Sequence, residues 1–131
     1  MKTTDKKKIT GIILATIWII AWEMLRNELL FKSLWVDHFD SLGLDFQTLP
    51  INGILWTIWS AIVAYVLYEL MAVLHFKKAL LLTWLLAFPA MWIVVYNLQT
   101  LPLKLLWAAI PLSIVEVYVA GLIIKKITFN K

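Results

Sequence analysis

Three glutamates stand inside long apolar stretches of the sequence, where a carboxylate is costly enough to require a reason. Glu23 precedes Arg26 by three residues, a spacing that places both side chains on one helical face and predicts a structural ion pair. Glu69 and Glu116 each stand eight or nine residues before a pair of lysines, so a count along the helices gives them the same depth. We expect these two carboxyl groups to meet and share one proton, because both cannot ionise cheaply in a low dielectric.

Other polar residues follow the same helical faces, spaced about 3.5 residues apart among small residues. One interpretation is a site that handles a proton, a cation or a small apolar solute. The alternative is a packing seam, because small residues let helices approach closely in lipid and polar ones bond across the contact. The candidate residues for ligand or proton handling are Glu69, Glu116, Glu23, Asn97, Tyr68 and Ser113.

The sequence lacks the residues and motifs that several kinds of chemistry require. It has no cysteine, which excludes disulfides, thiolate metal sites and cysteine nucleophiles. Its two histidines, His38 and His75, are predicted at opposite membrane surfaces and so cannot share a metal. No phosphate-binding loop, nucleophile elbow or zinc-protease motif occurs. The sequence therefore predicts no catalytic residue, no metal and no cofactor.

The elements that must position these residues are membrane-spanning helices. Hydrophobic residues make up 63% of the 131-residue chain and charged residues 15%, against about 45–50% and about 25% in soluble domains. A span needs about 20 apolar residues, and its backbone must be hydrogen-bonded internally, which favours helices. The sequence predicts one transmembrane domain over residues 1–131, with helices at about 9–30, 53–74, 79–98 and 103–124.

The long connection at 31–52 has its own pattern. Leu34, Trp35 and Phe39 recur among acidic residues at roughly helical spacing, and Gly43 follows. This pattern predicts a short amphipathic helix on the membrane surface, although an irregular loop fits it as well. The predicted fold is an all-α up-down four-helix transmembrane bundle with a short extracytoplasmic interfacial helix between helices 1 and 2.

Basic residues indicate the orientation. Nine lysines, including Lys2 and Lys131, fall at one predicted membrane surface, whereas Arg26, Lys32 and Lys104 fall towards the other. Cytoplasmic loops carry the excess of positive charge, so both termini are predicted in the cytoplasm, as in a bacterial inner membrane protein. The lysines flank apolar runs, so the lipid bilayer rather than nucleic acid is their expected partner.

Function follows less directly from these features. The leading hypothesis is a small binding or transport module that uses intramembrane glutamates. The alternative is a non-catalytic accessory subunit that binds a partner membrane protein. The third is a lipid-modifying membrane enzyme with a carboxylate as general acid or base, which we favour least. A homo-oligomer, with a two-fold dimer as the first choice, is expected because the small-residue stripes could serve contacts between subunits.

Overall fold

The computed structural model describes residues 3–129, and Lys2 and Lys131 of the charge count lie outside that range. Within it the chain is helical and contains no strand. Four helical segments are long and apolar enough to cross a membrane, and we number them as spans one to four in chain order. They are Thr4–Leu30, Pro50–Val73, Phe76–Asn97 and Leu103–Phe129. The membrane class and the helical class predicted from composition are thus confirmed.

The first span changes its helical form near its end. Helix α1 (Thr3–Met24) continues into a π-helical turn (Leu25–Leu30), in which hydrogen bonds reach five residues back. The last such bond runs from the Phe31 N–H to the Arg26 carbonyl, at 2.9 Å. The turn therefore holds one residue more than an α-helix would need over the same height.

A short helix does form in the connection that follows. Helix α2 (Lys32–Ser41) ends just before Gly43, whose φ of 68° is a left-handed conformation that glycine adopts without steric cost. Residues 44–49 then run without helix to α3 (Pro50–Val73). Pro50 opens α3, where its missing N–H has no intrahelical partner to lose.

The third span is two helices rather than one. Only Leu74 and His75 separate α3 from α4 (Phe76–Ala87), and α5 (Pro89–Asn97) follows after a break at Phe88. The break has a local cause, because Pro89 cannot donate the backbone hydrogen bond that would continue α4. The fourth span comprises a 3₁₀ turn, helix α6 (Leu106–Ile124) and a terminal π-helical turn.

The spans pack as a closed ring, in which α1 contacts α3 and α6, and α4 contacts both α3 and α6. Two indole hydrogen bonds show that α1 and α6 run in opposite directions. Trp18 donates to the Glu116 carbonyl and Trp22 to the Leu112 carbonyl, each at 3.0 Å. We call the end at which α1 begins and the fourth span ends the terminal end, and the end beside α2 the loop end.

Small side chains form the centre of the ring. Ala15, Ala64 and Ala120 are fully buried against Ile19 and Leu67. These small residues are thus used for packing within one chain. Outward-facing positions are large and apolar, as expected of a surface that meets lipid.

Candidate functional site

A buried cluster of three charged side chains lies between α1 and α6. It comprises Glu23, Arg26 and Glu116, whose exposed fractions are 4%, 5% and 1%. The Arg26 Nη2 atom contacts Glu23 Oε1 and lies 3.4 Å from Glu116 Oε2. Two carboxyl groups therefore share one guanidinium. We call these three side chains the buried cluster.

The opposite directions of α1 and α6 bring these side chains together. Side chains lean towards the N-terminus of their own helix. Arg26 on the first span therefore leans towards the terminal end, whereas Glu116 on α6 leans towards the loop end. Glu116 has its backbone level with Trp18, about two turns deeper than Arg26, and the two side chains close that difference.

A chain of hydrogen bonds links the buried cluster to α2. Asn27 Nδ2 donates to Glu23 Oε2 at 2.7 Å, and Trp35 Nε1 on α2 donates to Asn27 Oδ1 at 3.2 Å. Both oxygens of Glu23 thus have partners. Asn27 belongs to the π-helical turn, so the position of α2 and the orientation of Glu23 depend on each other.

An aromatic ring covers Arg26 from the third span. The Phe88 ring centroid lies 5.1 Å from Arg26 Cζ, close enough for a cation–π contact. Phe88 is 1% exposed and packs edge-on against Trp59. It is the residue at which the helix breaks before Pro89, so the kink and the contact with Arg26 are one feature of the fold.

Several buried polar atoms near the centre of the ring lack hydrogen-bond partners among the described residues. They are both carboxyl oxygens of Glu116, Nη1 of Arg26 and the hydroxyl of Thr83. Native proteins leave few buried polar groups unpaired, and such groups often belong to functional sites. The buried cluster can therefore accept a further positive charge at Glu116.

The structure places Glu69 elsewhere. Its Oε1 accepts a hydrogen bond from Lys8 Nζ at 2.8 Å, and both side chains are more than a third exposed. Lys8 Nζ also lies 4.5 Å from the ring centroid of Tyr68, which stacks on Phe129. We call Lys8 and Glu69 the terminal pair, because it ties the start of α1 to α3 at the terminal end.

The predicted meeting of Glu69 and Glu116 is therefore not formed. Glu69 pairs with Lys8, whereas Glu116 lies beside Arg26 and Glu23. On α1, the partner of Glu69 is Lys8, whereas Glu116 lies level with Trp18, ten residues further along. The prediction counted residues back to the lysines, and because α3 ends at Val73, the count from Glu69 crosses the turn into α4 and overstates its depth. It ignored where the side chains lean and what stands on the neighbouring helices.

The remaining predicted residues are also dispersed. Ser113 is fully buried one turn from Glu116, and its hydroxyl accepts a hydrogen bond from Trp84 Nε1 at 2.8 Å. Asn97 is exposed at the end of α5 and lines a different groove, of about 900 Å³, beside His38. Among residues 3–129, no hydrogen bond or ion pair joins Asn97 or Tyr68 to the buried cluster.

A groove of about 850 Å³ opens beside Glu23, between the first and second spans. We call it the lateral groove. Met24, Ile54 and Ile58 are apolar parts of its lining and are themselves more than half exposed. Glu23 and Asn27 also line it, so the groove reaches from the membrane-facing surface to one edge of the buried cluster.

Within residues 3–129, no group of three or more histidine, aspartate or glutamate side chains could hold a metal ion. No protein-family model, no curated protein and no solved structure matches the chain.

Proposed function

We propose that the chain is a small membrane binding or transport module that takes up one proton at the buried cluster. The observation that carries the proposal is the sharing of one guanidinium by two buried carboxyl groups. With Glu23 and Glu116 both ionised, the cluster has a net charge of −1 inside the bundle, where an uncompensated charge is costly. One proton makes it neutral.

The proton resides mainly on Glu116 in this proposal. Both Glu23 oxygens already accept hydrogen bonds, from Arg26 and Asn27. Neither Glu116 oxygen has such a partner among the described residues. Glu69, by contrast, has its own lysine and needs no proton to balance its charge.

Infrared spectroscopy of the purified protein in lipid tests the proposal. A protonated carboxylic acid has a carbonyl stretching band that an ionised carboxylate lacks. We expect this band at neutral pH, and we expect Glu116→Gln to remove it from a protein that still folds. Glu69→Gln is the matched control and should retain the band. Loss of the band in Glu69→Gln but not in Glu116→Gln would refute the assignment.

The same proposal includes a placement in the membrane. The four spans form an up-down bundle, with both termini in the cytoplasm and α2 on the outer surface of a bacterial inner membrane. The asymmetry of the basic residues supports this orientation. Topology reporters fused after Lys131 and at Lys77 should report cytoplasm, and one inserted within 41–47 should report the outside. A cytoplasmic signal from 41–47 would reverse the orientation.

A homo-oligomer stays a prediction, but the small residues give it less support than the sequence suggested. The small residues expected to serve contacts between subunits, such as Ala64 and Ala120, are buried inside one chain. These buried residues are therefore not available for contacts between subunits. Mass measurement in mild detergent distinguishes the two states, and a monomer at high protein concentration would rule out a stable dimer.

A further inference from the structure

We propose that the lateral groove binds a membrane-dissolved amphiphile that carries one protonated amine, with the amine at Glu23 and the apolar body between the first and second spans. This inference names a ligand class for the proposed module, and it rests on the proposed function only in the proton exchange described below. The groove volume, about 850 Å³, falls within the range of about 300–1,000 Å³ that is usual for ligand sites.

Charge complementarity selects a cation. Glu23 and Glu28 both line the groove, and its described lining contains no lysine, arginine or histidine. Glu28 forms its own ion pair with Lys32, at 3.3 Å, whereas Glu23 shares its cation, Arg26, with Glu116, so the negative charge that needs a further cation lies on the side of Glu23. The guanidinium of Arg26 does not line the groove, and behind it Glu116 retains two oxygens without hydrogen-bond partners.

The apolar lining of the groove favours a ligand with an apolar part that enters from the bilayer. Met24, Ile54 and Ile58 line the groove and are exposed by 60%, 56% and 52% at the membrane-facing surface. A ligand can therefore enter sideways from lipid. Polar side chains at Asn52 and Thr57 lie among these apolar ones. An amphiphile matches this arrangement better than a freely water-soluble cation, because its apolar body partitions from water into the bilayer, from which the groove is reached.

Binding and proton release are coupled in this scheme. The buried cluster is neutral with one proton bound. An amine cation that reaches Glu23 supplies the same single positive charge, so the proton leaves to the medium as the amine binds. The charge of the cluster with its ligand is zero before and after the exchange.

Equilibrium binding to the protein in phosphatidylcholine nanodiscs tests the inference, with empty nanodiscs as the background. The probes are dodecylamine and dodecanol, which share a chain and differ in charge. We expect saturable dodecylamine binding that is at least about tenfold tighter than that of dodecanol, with release of one proton for each amine bound. Equal affinity for the two probes, or no saturable binding above background, would overturn the inference.

A groove-filling variant keeps the test specific. A side chain added at Gly53 would meet no atom within 4 Å at its first carbon, so Gly53→Phe can enter the groove without displacing the backbone. It should weaken dodecylamine binding at least about tenfold, while Ile62→Phe, at a lipid-facing position on the same helix, should not. A dimer that Gly53→Phe abolishes, without amine binding in the parent, would overturn the inference by assigning the groove to a second copy.

The two proposals can fail separately. An infrared band assigned to Glu116 without any amine binding would refute the ligand and leave the proton site standing. Saturable amine binding without that band and without proton release would support the groove and refute the proton site.

Discussion

The buried cluster and the terminal pair are both built from glutamates and basic residues inside membrane spans, yet their surroundings differ. Lys8 and Glu69 are 35% and 45% exposed, and one cation balances one anion. In the cluster, all three side chains are at most 6% exposed and one cation serves two anions. The comparison teaches that burial and charge balance, rather than the presence of a membrane glutamate, distinguish a candidate site from a structural contact.

The largest effect should follow from removing the shared cation. Arg26→Met leaves Glu23 and Glu116 buried without a positive charge, and breaking a buried pair in this way costs about 3–5 kcal/mol. Unfolding of the detergent-solubilised protein, followed by circular dichroism, measures the loss. The triple variant Glu23→Gln, Arg26→Met and Glu116→Gln should recover most of it. If Arg26→Met unfolds like the parent, the cluster is not a buried charge network.

A smaller effect is expected from the link between the cluster and α2. Asn27→Leu removes a hydrogen bond to a charged oxygen of Glu23 and leaves the Trp35 indole N–H unpaired, which costs about 1–3 kcal/mol. The same unfolding measurement applies. Asn52→Leu is the matched control, since its side chain bonds at an exposed position and should change the stability less. Equal losses in the two variants would count against a role for the link.

Phe88→Leu should produce the next effect, about 1 kcal/mol from the ring contact with Arg26. The substitution also disturbs packing against Trp59, so a single measurement does not isolate the contact. The same substitution in the triple variant without Arg26 measures the packing alone. The difference between the two backgrounds is the cation–π contribution, and a difference of zero would show that the ring only fills space.

The terminal pair should respond least. Glu69→Gln breaks an ion pair whose partners are more than a third exposed, and such pairs are usually worth little. We expect the unfolding midpoint to stay within experimental error and to remain so at high salt. A loss comparable to that of Arg26→Met would remove the distinction between the two regions.

Much of the architecture could be predicted from the sequence because it follows from local quantities. Apolar length identifies four spanning segments, since lipid imposes a minimum length and internal hydrogen bonding. A left-handed glycine at Gly43 marks the end of a short helix. The π-helical turn at Leu25–Leu30 could not be predicted in the same way, because neither apolar length nor a helix-ending residue marks it.

The candidate site also combines one contact that is local in the sequence with others that form only in the folded chain. Contact between Glu23 and Arg26 is local, three residues apart on one helix, and could be read from spacing. Whether Glu116 joins the buried cluster depends on which helix packs against the first span and on the direction in which that helix runs. The predicted up-down bundle already makes the first and fourth spans antiparallel, so the rule that side chains lean towards the helix N-terminus would have raised Glu116 towards Arg26 had it been applied. Pro89 in the sequence indicates that the helix is kinked at Phe88. It does not indicate that Phe88 contacts Arg26.

The π-helical turn at Leu25–Leu30 makes this part of the chain sensitive to length rather than composition. An α-helix turns by about 100° per residue, so one further residue inserted between Asn27 and Lys32, beyond the one that the wide turn already absorbs, would rotate everything after it by that amount. Trp35 would then face away from Asn27, although no side chain that forms the contact had been replaced. Homologous chains that share this site should therefore vary in residue type along the turn while keeping its number of residues.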